Sequence, residues 1–314
     1  MIEKTSVVAE MNRQLAAGEQ ALLYGLAAPE RPVLFVMGVP RSGTTLLTQL
    51  LIGRYRLGYV NNLIAKFWEA PVIGTCLSLS LPGPRNETDF QLSSEFGFTE
   101  ACDGHHEFGY FWRRFFPFDQ HHQLEKSVLD AVDVALLRRE IAGMEAAWNA
   151  PMLFKNAAAL PLQTAFLARA LPTAAFLYIR RDAEAVAASL LKSRRQYSGA
   201  AAHWFSIKPK AYEALRSLSV YEQIAGQIHY TQTGIEAQLA EVPPARQLTI
   251  HYRDLCLDPA AFFQRFEDWM KQLDAEPQVL HPALPRLKVA EAAFQGPAER
   301  QAMLEALKKW NLCD

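Results

Sequence analysis

Residues 33–51, VLFVMGVPRSGTTLLTQLL, restrict the fold more than any other stretch of the chain. The first five residues, VLFVM, form an apolar run between Pro32 and Gly38, a pattern typical of a buried parallel strand. The run TTLLTQLL that follows the turn has the pattern of a helix. A strand, a glycine-containing turn and a helix in this order are the structural context of a phosphate-binding loop.

The same alternation recurs along the chain. Apolar runs predict three further strands, at 151–155, 174–182 and 246–255. Helical patterns lie among them at 124–148 and 212–242. Strands that alternate with helices predict an α/β fold of the P-loop type, a doubly wound, mostly parallel sheet with helices on both faces.

We expect a single domain over residues 1–314, with an N-terminal helix within 1–28 and an irregular, aromatic insertion at about 58–118. Half of the 314 residues are hydrophobic, enough for a large core. The net charge of −1 argues against a nucleic-acid partner. A polar N-terminus and the lack of a long apolar run predict a cytoplasmic protein without a membrane span. The sequence does not indicate the oligomeric state.

The loop Gly38–Thr45 has the G-x-x-x-x-G skeleton, but Thr44 stands where nucleotide triphosphatases carry lysine. Backbone N–H groups of such a loop, together with the start of the helix, still attract an anion. The hydroxyls of Ser42, Thr44 and Thr45 add donors. Arg41 adds a forked cation suited to phosphate or sulfonate oxygens. A loop that only turns the strand into the helix is the alternative.

A carboxylate for Mg²⁺ is hard to find near this loop. A magnesium site would use an aspartate at the end of a neighbouring strand. The third predicted strand ends instead in Arg180 and Arg181, and Asp182 follows them. We therefore expect a short anion bound without metal.

A second basic segment, RRDAEAVAAS, follows that strand. Arg181 lies at the strand end and Ser189 lies eight positions later on the next helix. Ligands bind at the carboxyl ends of strands in such sheets, so both residues can reach one anion. In the alternative interpretation, surface arginines border a helix that Asp182 caps.

With both segments quoted, residues 32–275 resemble the sulfotransferases that use 3′-phosphoadenosine 5′-phosphosulfate (PAPS), and the bacterial branch most of all. PRSGTTLL is similar to their 5′-phosphosulfate loop, RDAEAVAAS to their 3′-phosphate segment, and HYRDL to a recurring late strand. The resemblance implies PAPS as the donor, no metal, and a hydroxyl on a small acceptor. The cofactor-binding residues it implies are Arg41, Ser42, Gly43, Thr44, Thr45, Leu46, Arg181 and Ser189.

This sequence departs from the family pattern at the position of the catalytic base. Family members often place a histidine two residues after the strand lysine, but Ala157 occupies that position after Lys155. We expect Arg41 and Lys155 to stabilise the leaving oxygen, although Lys155 is alternatively an ordinary surface lysine. His106 is the first candidate for the base, with Glu107 beside it. The rival carboxylates are Glu69 and Glu95.

Three alternatives remain at this point. The nearest is a P-loop kinase that uses ATP and Mg²⁺, and another is a nucleotide-binding relative without catalysis. A zinc site is the weakest, because a structural site usually has more thiolate than this set offers: Cys102, His105, His106, His121 and His122. The aromatic stretches most often indicate core, but their irregular spacing slightly favours an apolar acceptor.

Overall fold

The computed structural model describes residues 4–81, 99, 101–155, 160–197 and 199–313. Within these ranges one sheet has the strand order β2-β3-β1-β4-β5, and all its strand pairs are parallel. The strands are β1 (Val33–Met37), β2 (Gly58–Tyr59), β3 (Met152–Lys155), β4 (Ala174–Arg180) and β5 (Gln247–His251).

Helices precede, connect and follow these strands. They are α1 (Lys4–Leu22), α2 (Thr44–Arg54), α3 (Pro71–Ser80), α4 (Gly109–Phe115), α5 (Lys126–Asp130), α6 (Val134–Trp148), α7 (Thr164–Ala170), α8 (Ala183–Tyr197), α9 (Tyr212–Leu215), α10 (Val220–Leu239), α11 (Tyr252–Leu257), α12 (Pro259–Gln272) and α13 (Pro297–Lys309). No helix in the described ranges is long and apolar enough to cross a membrane.

β1 is the central strand, and all five of its residues are buried. Its side chains alternate between two cores, as expected for a strand that is covered on both faces. On one face Phe35 stacks on Phe154 and Phe176, with 5.6 Å between ring centroids in both pairs. On the other face Leu34 and Val36 pack among residues of α2 and α12. The predicted parallel sheet with helices on both faces is confirmed.

Four predicted elements differ in their bounds. The helix expected at 212–242 is α9 and α10, because the Ser219 side chain accepts a hydrogen bond from Glu222 N and starts α10 afresh. The helix expected at 124–148 is two helices, because the Asp133 side chain accepts a hydrogen bond from Leu136 N and starts α6 afresh. The strand expected at 174–182 ends at Arg180, where Asp182 caps α8 through Ala185 N at 2.9 Å. The strand expected at 246–255 ends at His251, and the chain turns into α11 there.

The aromatic insertion contributes mainly to the core. Phe108, Phe111 and Trp112 are buried, and their rings pack on one another and on the aromatic side chains of the sheet. Tyr110 is 59% exposed and packs against the half-buried Trp68. Most of these side chains are therefore used in packing, and their number says little about the polarity of an acceptor.

α1 is fixed to the insertion by two fully buried polar side chains, Asn12 and Glu19. Asn12 donates to Lys66 O at 2.7 Å and accepts from the amide of Glu69 at 2.9 Å. The Glu19 carboxylate accepts from the first free amides of α3, at 2.7 and 3.0 Å. Both side chains satisfy backbone groups that the turn before α3 leaves unpaired.

Candidate functional site

The loop between β1 and α2 follows a path that only glycine permits at two positions. A Cβ on Gly38 would lie 2.6 Å from the carbonyl oxygen of Ile179 in β4. Gly43 has a φ of 109°, and a Cβ there would lie 2.7 Å from the Tyr252 ring. Arg41 also has a positive φ, 71°, which is uncommon outside glycine. The loop is therefore pressed closely against the ends of β4 and β5.

We expect Gly38→Ala to lower the free energy of unfolding by about 1–3 kcal/mol, because the added methyl meets a backbone atom that cannot move independently. Gly109→Ala is the control, since no atom lies within 4 Å of a Cβ at that position. Chemical denaturation measures both values. Equal stability of the two variants would contradict the close approach.

Ser42 is 1% exposed, and its Oγ has no hydrogen-bond partner among the described residues. An unpaired buried hydroxyl is unfavourable unless a ligand or water binds it. Thr44 and Thr45 open α2, so both are at the end of the helix that attracts anions. Leu46 is half-buried against the core on the α2 side of the sheet.

The second basic segment meets the loop directly. Arg41 Nε donates to Ser189 Oγ at 3.0 Å, and Arg181 Nη1 donates to the carbonyl oxygen of Arg41 at 3.1 Å. Burial and the nearby charge of Arg181 lower the pKa of Arg41. Two like charges held this close favour an anion between or beside them. The structure thus brings together Arg41, Arg181 and Ser189, while Asp182 caps α8 at the same time.

Arg181 is held in place by a residue that the sequence analysis missed. Its guanidinium lies 4.4 Å from the centroid of the Tyr252 ring, and its Nη2 donates to Ala290 O at 2.5 Å. The hydroxyl of Tyr252 accepts a hydrogen bond from Ala290 N at 3.3 Å. Arg181 Nε is buried and has no partner in the described parts of the chain. Tyr252 was assigned to a strand, which concealed its position at the start of a helix under Arg181.

Lys155 ends β3, and its Cα pairs with Val36 of β1, so it lies beside the start of the glycine loop. The Lys155 side chain is only 2% exposed, and its ammonium lies 2.9 Å from Oε1 of Glu107. The Glu107 side chain is 41% exposed. A buried lysine that contacts a half-exposed carboxylate is not an ordinary surface lysine.

His106 is next to this pair, but one of its ring nitrogens is occupied. Its Nδ1 accepts a hydrogen bond from the backbone N–H of Phe108 at 2.8 Å. Burial lowers the pKa of His106, and the charges of Lys66 and Lys155 lower it further while Glu107 opposes them. These effects favour the neutral form of the ring.

Two more histidines of the pairs, His105 and His122, have lowered pKa values. His105 is 3% exposed, and burial with the charge of Lys155 lowers its pKa to about 3. The backbone N–H of His122 donates to Lys208 O at 2.8 Å, and the His122 Nδ1 accepts from Lys208 N at 3.0 Å. Burial lowers its pKa to about 4.

The remaining candidates do not join this cluster as ligands or bases. Glu69 is half-buried where α1 binds the insertion, through its backbone amide and Asn12. Glu95 lies outside the described residues. Among the residues that are described, no group of three or more His, Cys, Asp or Glu side chains can hold a metal ion, so the histidine and cysteine set does not assemble.

The parallel sheet and the glycine loop at its carboxyl edge define an α/β protein with a P-loop-like fold. The chain matches the profile of the Sulfotransferase family over residues 32–275 and belongs to that family. Membership of this family indicates a transferase of the sulfotransferase type. A search of curated protein sequences found no match.

One of the similar solved structures supports the fold. Sulfotransferase STF9 from Mycobacterium avium is 15% identical, with a TM-score of 0.51 over 84% of this chain and 71% of the other. Sulfotransferase STF1 from Mycobacterium tuberculosis H37Rv is 17% identical, with a TM-score of 0.46 over 95% and 80%. These neighbours are bacterial sulfotransferases.

Proposed function

We propose that this protein is a cytoplasmic sulfotransferase that moves a sulfuryl group from PAPS to the hydroxyl of a small, apolar molecule. One observation supports this most: Arg41 contacts both Ser189 and Arg181, so the glycine loop and the second basic segment form one cationic surface. A nucleotide with phosphates at its 5′ and 3′ ends needs two such groups side by side.

The residues present fit this donor. Ser42 Oγ and Arg181 Nε are buried donors without partners among the described residues, and each lies in one of the two segments. Gly38 and Gly43 let the loop lie closely against Ile179 and Tyr252, which brings the loop next to Arg181. We assign Arg41, Ser42, Gly43, Thr44 and Thr45 to the 5′ side.

Arg181 and Ser189 are assigned to the 3′-phosphate, and Tyr252 positions Arg181 through its ring. Leu46, the half-buried third residue of α2, offers an apolar surface to the adenine. When bound, the donor supplies an activated sulfuryl group on a phosphate leaving group. Lys155 and Arg41 supply fixed positive charge for that leaving group, and such preorganised charge is a major source of catalysis.

Titration calorimetry separates this function from a P-loop kinase. We expect 3′-phosphoadenosine 5′-phosphate to bind at least about tenfold more tightly than ATP with Mg²⁺, since a tenfold ratio needs only about 1.4 kcal/mol. Tighter binding of ATP with Mg²⁺ would contradict the proposal. Transfer of radiolabelled sulfate from PAPS to a panel of phenols and long-chain alcohols tests the non-catalytic alternative, which predicts nucleotide binding without any transfer.

A further inference from the structure

We infer that Glu107 is the general base of this site and that His106 is a hydrogen-bond donor whose tautomer is fixed by the backbone. The inference rests on the proposed sulfotransfer, because it concerns the proton that an acceptor hydroxyl must lose. Sequence alone ranks His106 first, and the structure reverses that order.

The His106 ring is committed by its contact with Phe108. Since Nδ1 accepts the amide hydrogen of Phe108 at 2.8 Å, its lone pair is used in that bond. A neutral imidazole with an acceptor at Nδ1 carries its proton on Nε2. His106 Nε2 is then a donor and cannot take a proton. Moving the proton to Nδ1 would break the hydrogen bond from Phe108 and place the Nδ1 hydrogen against the amide hydrogen of Phe108.

The local backbone reinforces this tautomer. Phe108 has a φ of 56°, a left-handed conformation that a bulky residue rarely adopts, and its ring is fully buried in the core. The backbone N–H of His106 also donates to Val60 O at 2.8 Å, which fixes the backbone at this residue. Rotation of the imidazole would therefore disturb a packed turn.

The neighbouring histidines do not replace it. His105 is 3% exposed, and burial with the charge of Lys155 lowers its pKa to about 3, which makes its ring a weak base. His122 uses its Nδ1 to accept an amide hydrogen from Lys208. By the same tautomer argument, its remaining nitrogen is a donor.

Glu107 has the properties that the histidines lack. Its Oε1 contacts the Lys155 ammonium, and no hydrogen bond to Oε2 is found among the described residues. The side chain is 41% exposed while Lys155 is almost completely buried, so the carboxylate is the outer member of the pair. A small molecule that approaches from solvent meets Glu107 before Lys155.

The step balances with these two residues. Glu107 takes the proton of the acceptor hydroxyl as the hydroxyl oxygen forms its bond to sulfur. The bond between sulfur and the phosphate oxygen breaks, and its electron pair stays on that oxygen as 3′-phosphoadenosine 5′-phosphate is released. The positive charge of Lys155 offsets both the carboxylate before the step and the leaving phosphate after it. No oxidant or metal is needed.

The first test is Glu107→Gln, assayed with radiolabelled PAPS and a panel of 1-naphthol, 4-nitrophenol and 1-octanol. We expect transfer to fall at least about 100-fold, the usual contribution of a general base, while affinity for 3′-phosphoadenosine 5′-phosphate stays within about twofold. The matched control is Glu125→Gln, which alters another Glu–Lys pair, on the exposed surface with Lys210 at 2.7 Å. An unchanged rate in Glu107→Gln would overturn the inference.

His106→Asn is the companion variant, because its Oδ1 can accept the Phe108 amide in place of Nδ1. We expect a loss of transfer below about tenfold, less than a general base contributes. A loss as large as that of Glu107→Gln would return His106 to the role of base. If wild-type protein binds no 3′-phosphoadenosine 5′-phosphate, the proposed function fails, whereas binding and transfer that survive Glu107→Gln reject only the base.

The second test needs no acceptor. Nitrogen-15 NMR of the free protein, with His106→Asn to assign the signal, reports which ring nitrogen carries the proton. We expect the Nε2–H tautomer at about pH 8, because Nδ1 accepts the Phe108 amide hydrogen and the pKa of His106 is lowered. A signal from an Nδ1–H tautomer at that pH would refute the donor role.

Discussion

Lys155→Ala is expected to lower the rate of sulfuryl transfer about 100- to 1,000-fold, the usual effect of removing one preorganised charge or donor from a leaving oxygen. The reason lies in its position beside the glycine loop, where the buried ammonium pairs with the half-exposed Glu107 at 2.9 Å. Initial rates at saturating PAPS measure this effect. Nucleotide affinity should change by less than about threefold, because most of the nucleotide is held by other residues.

The control is Lys192→Ala, which removes an exposed lysine from α8 and should leave the rate unchanged. If Lys155→Ala transfers sulfate at the wild-type rate, Lys155 serves only the stability of β3. A combined loss of thermal stability and of nucleotide binding would lead to the same conclusion.

Arg181→Ala is expected to weaken binding of 3′-phosphoadenosine 5′-phosphate about 100-fold, since one charge-assisted contact contributes up to about 3 kcal/mol. Binding of adenosine 5′-phosphate, which lacks the 3′ group, should fall less than about threefold. The difference between the two ligands isolates the 3′-phosphate from any general loosening of the loop, whose Arg41 carbonyl also accepts a hydrogen bond from Arg181. Titration calorimetry gives both constants.

Arg180→Ala is a closely matched control. Arg180 is the preceding residue, but its side chain is exposed and pairs with Glu236 at 3.5 Å. It should bind both nucleotides like the wild type. Equal losses for the two ligands in Arg181→Ala would remove the assignment of Arg181 to the 3′ end.

The central part of the fold was accessible from sequence because its signals are local. VLFVM is a run of five apolar residues closed by Pro32 and Gly38, and β1 has those same bounds. β2 was not predicted because two residues, Gly58 and Tyr59, are too few to show an alternating hydrophobic pattern. α5 and α6 merged into one predicted helix because apolar spacing continues across the break at Asp133.

The site was accessible only in part. Arg41, Arg181 and Ser189 follow strand ends or lie on the helix after one, and parallel topology brings such residues together. The Lys155–Glu107 pair joins residues 48 positions apart, as their numbering shows, and depends on how the insertion folds back. The ring nitrogen that His106 uses depends on a single hydrogen bond that no pattern encodes. The start of α11 at Tyr252 has no side-chain cap that the sequence could indicate.

Asn12 and Glu19 have a practical consequence for anyone who makes this protein. Both precede residue 32, where similarity to the family begins. Trimming the chain to the shared residues would leave the amides of Glu69, Val72 and Ile73 without their hydrogen-bond acceptors. Each amide would then lower the free energy of unfolding by about 1–3 kcal/mol if water did not reach it. Recombinant versions should therefore include α1, although the match to the family begins only at residue 32.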